Sequence, residues 1–320
     1  MPRTVYIFDQ QQCHTVDQPD FEQLLASNQI FWVDIHHPDP SDVALMRDVF
    51  KFHPLAIEDT LNQETRAKVE EYADYLFAII SPIRLVDGEL EIHEIDVFIS
   101  KQYVVSVHLG AEASIADAAI RIKDPLRMLH ISSGYIFYTL LDTVVDGYLP
   151  LLEQISDDIE TIEDKVTAEP TQHMLAELMR LKRALRNIVR AAYPMQSVIN
   201  YISHHDQHFT QRETLGYYLR DVNDHLLRVV EIASNMRETL GGVLDLYMSS
   251  TSNRLNKVVN RLTVITIAIG ILSVFVGFYG MNFTTTFPAY TDPNGILLVI
   301  ALMVMTEGVV LAFFRWRKWL

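Results

Sequence analysis

Leu262–Phe278 reads LTVITIAIGILSVFVGF, seventeen residues without a charge, and Ile296–Phe314 reads ILLVIALMVMTEGVVLAFF, nineteen residues whose one charge is Glu307. A membrane-spanning helix needs about 20 mostly apolar residues and tolerates about 17, so both runs read as spans, at about 258–279 and about 296–314. Two buried helices of a soluble protein are the competing reading, and the flanks argue against it. Arg254, Lys257 and Arg261 precede the first run, and Arg315, Arg317 and Lys318 follow the second. The connecting loop Tyr279–Gly295 holds no Lys or Arg. Cytoplasmic flanks carry the excess of basic residues. The loop is therefore expected outside and both termini in the cytoplasm, in a multi-pass protein of the plasma (inner) membrane.

Upstream of the spans, no proline lies between Pro194 and Pro288. From near Leu215 an apolar seam recurs at alternating three- and four-residue steps: Leu219, Val222, Leu226, Val229, Ala233, Met236, Leu240, Val243 and Tyr247. That is a heptad seam, weakened only at Gly241 and Gly242. A continuous helix from Leu215 to Phe278 would be ~95 Å long at ~1.5 Å per residue. It would act as a stalk between a cytoplasmic domain and a pore, with the seam assembling several copies.

A second repeat, in another register, crosses the first span. Asn256, Thr263, Gly270 and Gly277 are spaced by seven, Val259, Thr266 and Ser273 fall at the half-steps, and Asp245 precedes them. On a helix these positions share one polar or small face. Such a stripe mediates helix packing in many membrane bundles, and alternatively lines a narrow wet path. Asp245 and Asn256 at the cytoplasmic mouth favour the path. Two helices cannot enclose it, so several copies in a ring are required. Magnesium demands oxygen ligands and holds its waters tightly. Amide and hydroxyl oxygens can receive the hydrated ion and release it. Thiolate and imidazole, which suit zinc, are absent from the stripe.

The remaining sequence is acidic and mixed. The net charge is −15, from 26 Lys+Arg against 41 Asp+Glu, which argues against nucleic acid and suits a cation. The one cysteine, Cys13, excludes an intrachain disulfide. Met1–Gln10 lacks the apolar core of a secretory signal peptide. Thr4–Phe8, Ile30–Ile35, Tyr75–Ile83, Leu90–Ile99 and Tyr103–His108 read as strands, and Pro40–Phe50 and Pro54–Asn62 as helices. From about Tyr135 only helix is expected: Gly134–Thr167 with a kink at Pro150, then Thr171–Ala192 closed near Pro194. The expected fold is an α/β N-terminal cytoplasmic domain (1–134), a helical stalk (135–255) and a transmembrane pore domain (256–320).

Directly after the first span stands Tyr279-Gly280-Met281-Asn282-Phe283. Here the sequence resembles the CorA family of magnesium and cobalt transporters, whose signature is Gly-Met-Asn after the first of two C-terminal spans. Phe52-His53-Pro54-Leu55-Ala56-Ile57-Glu58-Asp59 with Arg66-Ala67-Lys68-Val69-Glu70, Tyr218-Leu219-Arg220-Asp221-Val222-Asn223-Asp224-His225, and the tail Arg315-Trp316-Arg317-Lys318-Trp319-Leu320 are similar to further family motifs. The resemblance implies a funnel-shaped homopentamer in membrane lipid that passes Mg2+. In it Gly280, Met281 and Asn282 would form the selectivity filter. Asp245 and Asn256 would be polar rings, and Val259 and Leu262 apolar gates. Arg315, Arg317 and Lys318 would form a basic ring. Asp59 of one subunit, assisted by Glu58, would bind regulatory Mg2+ with Asp221 of its neighbour. Three departures stand out. The first span lacks the proline many members carry, Gly270 replaces a methionine gate, and Thr284–Tyr290 lacks the usual Met-Pro-Glu element.

Glu307 reads either as a proton site or as a hydrogen-bonded acid at a helix contact beside Thr306. His204-His205-Asp206-Gln207-His208 reads as a polar turn, since no second ligand group at zinc spacing accompanies it. No catalytic motif and no organic cofactor site are found, so an enzyme is not expected. Beside a magnesium-gated channel stand two alternatives: a zinc transporter of the same superfamily, with or without proton coupling, and a magnesium sensor that does not conduct.

Overall fold

A computed structural model describes residues 3–9, 12–27, 29–62, 66–86, 88–110, 112–124, 131–168, 170–205, 212–281, 287–288, 294–317 and 319. They form two compact units, Met1–Asp164 with Gln172–Val243, and Lys165–Thr171 with Leu244–Leu320.

Among the described residues the first unit holds nine strands: β1 (Arg3–Asp9), β2 (Gln12–Val16), β3 (Ile30–His36), β4 (Lys68–Glu71), β5 (Leu76–Ile80), β6 (Ile83–Val86), β7 (Glu89–Ile92), β8 (Ile95–Ile99) and β9 (Tyr103–His108). Seven make one sheet in the order β2-β1-β3-β9-β8-β5-β4, and β6 with β7 make a separate hairpin. Only β3 and β9 run parallel; the other pairs are antiparallel. The central strands β5, β8 and β9 are buried at every position, as Val-, Ile- and Phe-rich runs covered on both faces must be. One face packs on α1 (Phe21–Ala26), α2 (Pro40–Ala44, continued as a wider π turn over Leu45–Val49) and α3 (Pro54–Asn62). The core there is aromatic, with Phe52 stacked on Phe98 at 3.9 Å. On the other face, Trp32 donates to Ser106 Oγ at 2.9 Å, and Ser106 in turn donates to Asp34.

Two expected strands divide. Tyr75–Ile83 splits at Ser81-Pro82 between β5 and β6, and Leu90–Ile99 splits between β7 and β8. Gly88, at φ +82°, closes the β6–β7 hairpin in a conformation that glycine adopts without strain. β2, β4, α1 and α4 (Ala113–Ile122) carry weak local signals and were not expected.

The helical part then begins. α5 (Ser133–Asp146) starts where Ser132 accepts from the Tyr135 N–H, and it packs against β3, β8 and β9. α6 (Tyr148–Val166) follows after a break at Gly147. The expected kink at Pro150 is thus corrected. Pro150 sits in the first turn of α6, where its missing N–H leaves no bond unmade. α7 runs Gln172–His205 with Pro194 inside it, so the expected closure near Ala192 is also corrected. Met195, Val198, Ile199 and Ile202 beyond the proline are all buried, and that packing outweighs one lost backbone bond.

α8 is one helix from Arg212 to Tyr279, and α9 runs Gly295–Trp316. The seam from Leu219 to Tyr247 is buried inside a single chain, with Met236 half-buried. Beside it Tyr218 packs on Tyr135 and Tyr138 of α5. The seam therefore holds the chain to itself and is not the surface that joins copies. In the second unit the apolar side chains point outward instead: Val274 is 70% exposed and Ile296 is 74% exposed. Both apolar helices are long enough to cross a membrane and almost unburied, which a soluble core helix is not.

Removing the central aromatic contact tests the core. Phe52→Ala should cost about 3–5 kcal/mol, seen as a large fall in the melting temperature of the soluble part of the purified protein. An unchanged melting temperature would show that the aromatic cluster is not what holds α3.

Candidate functional site

The stripe on α8 is the first candidate. Asp245, Asn256, Val259, Thr263, Thr266, Gly270, Ser273 and Gly277 lie within an arc of about 100° on the helix. Thr263 is half-buried and the others are exposed. Leu262, at the edge of the arc, is 62% exposed. Besides Thr263, the covered positions from Asn256 onward are Asn260, Val264, Ala268, Ile271, Phe275 and Tyr279, on a face about 140° away. Packing within the chain thus uses another face, and the polar stripe stays open.

The stripe's hydroxyls are oriented by the backbone. Thr263 donates to the Val259 carbonyl at 2.8 Å, Thr266 to Leu262 at 2.8 Å and Ser273 to Ile269 at 2.7 Å. Each hydroxyl has one hydrogen and two lone pairs. With the hydrogen engaged, the oxygen is left as an acceptor. Water bound to a cation turns its hydrogens outward and is a donor. A row of acceptors therefore matches a hydrated cation. At the end of α8, Gly280 N–H donates to Val276 O at 2.9 Å and Met281 N–H to Phe278 O at 3.3 Å. Asn282 and Lys318 lie outside the described residues, as do residues 206–208 of the histidine cluster. Arg315 and Arg317 are exposed at the end of α9.

α3 carries the second candidate. The His53 N–H donates to Tyr75 Oη at 2.7 Å and fixes the start of this helix. Burial of Ala56, Ile57 and Thr60 then leaves Glu58 exposed and Asp59 half-buried. Lys68 Nζ lies 2.6 Å from Asp59 Oδ2 and 3.1 Å from Glu70 Oε1. Burial works against the Lys68 charge, but the two carboxylates outweigh it and push its pKa up to about 12. Within one chain Asp59 is thus already paired with a cation.

Asp221 lies elsewhere, one turn before His225 on α8, with His225 Nε2 at 4.0 Å from its Oδ1. Asp142 of α5 joins them, and ligand atoms of all three lie within 4.8 Å of one another. Arg121 of α4 bridges Asp142 and Asp146 at 2.8 Å each. Burial, then the Asp146 charge, raises the Asp142 pKa above the ordinary carboxylate range, against Arg121 and His225. Asp142 was missed in sequence. Its signal is a carboxylate inside the otherwise uncharged run Tyr135–Val145. Glu307 leaves Oε1 buried with no hydrogen-bond partner among the described residues. Thr306 donates to the Leu302 and Met303 carbonyls, not to Glu307.

Known proteins resemble this chain in family and fold. A family model described as CorA-like Mg2+ transporter protein matches residues 27–317. The Bacillus subtilis protein YfjQ is 32% identical over 304 residues, covering 95% of this chain and 92% of its own length. The cobalt/magnesium transport protein CorA of Thermotoga maritima is 29% identical over 297 residues, covering 90% and 83%. The structure of the CorA magnesium transporter of Methanocaldococcus jannaschii superposes with a TM-score of 0.87 at 19% identity, over 100% of this chain and 99% of that one.

A cation at Asp142, Asp221 and His225 competes with protons. Mg2+ should raise the melting temperature of the purified protein, less in Asp221→Asn and Asp142→Asn. In the wild type the rise should fade as pH drops through the raised Asp142 pKa, at higher pH than for an ordinary aspartate. A rise unaffected by either substitution would place the bound ion elsewhere.

Proposed function

The chain belongs to the family of CorA-like Mg2+ transporter proteins, and from that premise we propose that it is a homopentameric channel that passes Mg2+, and Co2+ as a second substrate, across the plasma (inner) membrane. Its parts are a cytoplasmic α/β domain (1–134), a helical stalk (135–255) and a pore domain (256–320). Both termini are cytoplasmic. Mg2+ is substrate and regulatory ligand, and no organic cofactor takes part.

The observation that carries this reading is the open stripe of acceptors on α8. Five copies turning that face inward would surround a path lined by oxygen. At the outer end Gly280, Met281 and Asn282 receive the hydrated ion. Thr263, Thr266, Gly270, Ser273 and Gly277 line the span, Val259 and Leu262 narrow it, and Asn256 and Asp245 collect the ion at the cytoplasmic mouth. Rings of side chains of this kind bind loosely enough to release the ion. Arg315, Arg317 and Lys318 surround the exit as a basic ring.

Regulation uses the carboxylates of the first unit. In the Mg2+-bound state Asp59, with Glu58, faces Asp221 of the neighbouring copy across a shared ion. Asp142 and His225 beside Asp221 strengthen the attraction. When internal Mg2+ falls, Asp59 returns to Lys68, the remaining acids repel one another, and the subunits loosen.

Mg2+ entry into liposomes holding the purified protein and a Mg2+-sensitive dye tests the path. The wild type should conduct at low internal Mg2+. Asn282→Ala and Thr266→Val should each reduce flux about tenfold or more, since every lost acceptor is repeated around the ring. Zn2+ flux without Mg2+ flux would make the chain a zinc transporter, and no flux of either ion would make it a sensor.

A further inference from the structure

Opposite the stripe, α8 carries a second pattern. Arg254, Lys257 and Arg261 are exposed and fall within an arc of about 60°, centred about 180° from the polar stripe. If the stripe faces the ion path, as proposed above, this basic row faces away from it. Counted from Tyr279 at ~1.5 Å per residue, Arg261 lies ~27 Å, Lys257 ~33 Å and Arg254 ~38 Å from the outer end of the span. The hydrocarbon core is about 30 Å thick, which sets all three at the level of the cytoplasmic headgroups. Trp316, 77% exposed near the end of α9, stands at the same level, where tryptophan is enriched.

None of the three basic side chains has a carboxylate partner among the described residues. Exposed Val258 and Ile265 border this row on α8, within about 40° of Arg254, so the face is amphipathic: apolar side chains for acyl chains, guanidinium and ammonium groups for phosphate. A second copy is a poor occupant for this face. Outside this row the chain is strongly acidic, yet within Leu262–Phe314 the acids are Asp292 and Glu307 alone, neither at this depth.

We propose that Arg254, Lys257 and Arg261 form a binding row for anionic phospholipid headgroups of the cytoplasmic leaflet, through which membrane charge holds the pore helix. Arginine suits the phosphate because its planar fork makes two parallel hydrogen bonds. The row would make ion flux depend on the anionic lipid content of the membrane.

The test uses the full-length protein reconstituted with phosphatidylcholine alone or mixed with phosphatidylglycerol. Retained lipids are weighed by native mass spectrometry after mild delipidation, and Mg2+ flux is read in the same vesicles. The wild type should retain phosphatidylglycerol over phosphatidylcholine on the order of tenfold or more. The triple variant Arg254→Gln, Lys257→Gln, Arg261→Gln should lose that preference. Arg254→Lys with Arg261→Lys, which keeps the charge, should keep most of it and controls for folding. Wild-type protein without preference, or a folded triple variant that keeps it, overturns the proposal. Displacement of the lipid by inorganic phosphate at low concentration would make the row a free-anion site and overturn it too. Flux without lipid preference removes the lipid row and leaves the channel standing. Lipid preference without flux of any divalent ion removes the channel and leaves the row.

Discussion

Hydrocarbon offers no hydrogen-bond partner, so every backbone group that crosses it must be satisfied within its own segment. α8 meets that constraint by staying helical from Arg212 to Tyr279 without interruption. Gly241 and Gly242 sit inside it and do not break it. The absence of proline over the whole stretch is the covalent condition for this.

Along α8 the sides of the helix have different tasks. Up to Tyr247 the apolar seam is covered by the chain's own side chains. Past that point the covered positions are fewer, and the polar stripe stays open. A hydroxyl in a membrane helix would normally be costly to expose, but here each hydrogen returns to the carbonyl one turn earlier. The helix thereby satisfies its donors and presents acceptors.

The acids of the first unit show how context sets a carboxylate's state. Asp59 is held by Lys68, and Lys68 is shared with Glu70. Asp142 is buried, bridged by Arg121, and crowded by Asp146 and Asp221. The first arrangement is a closed pair whose cation is built in. The second carries more negative charge than its bound arginine cancels, and is the more open to an added ion.

The sequence by itself determined what depends on near neighbours along the chain. The two spans, their basic flanks, the proline-free stalk and the seven-residue stripe all follow from periodicity and length, and the structure keeps them where they were read. It also placed α3 at Pro54–Asn62 and the strands β1, β3 and β9 nearly residue for residue. Tertiary structure decided what depends on distant partners. Pro194 stays inside a helix because residues beyond it are buried. The heptad seam, indistinguishable in sequence from an assembly surface, is buried within a single chain. Asp142 meets Asp221 and His225 although 79 positions separate the two aspartates, and Lys68 claims Asp59 across a strand–helix contact. Local spacing fixes which face of an element a residue occupies. Only the packing of elements fixes what that face meets, because burial and charge pairing act between residues that the sequence does not place together.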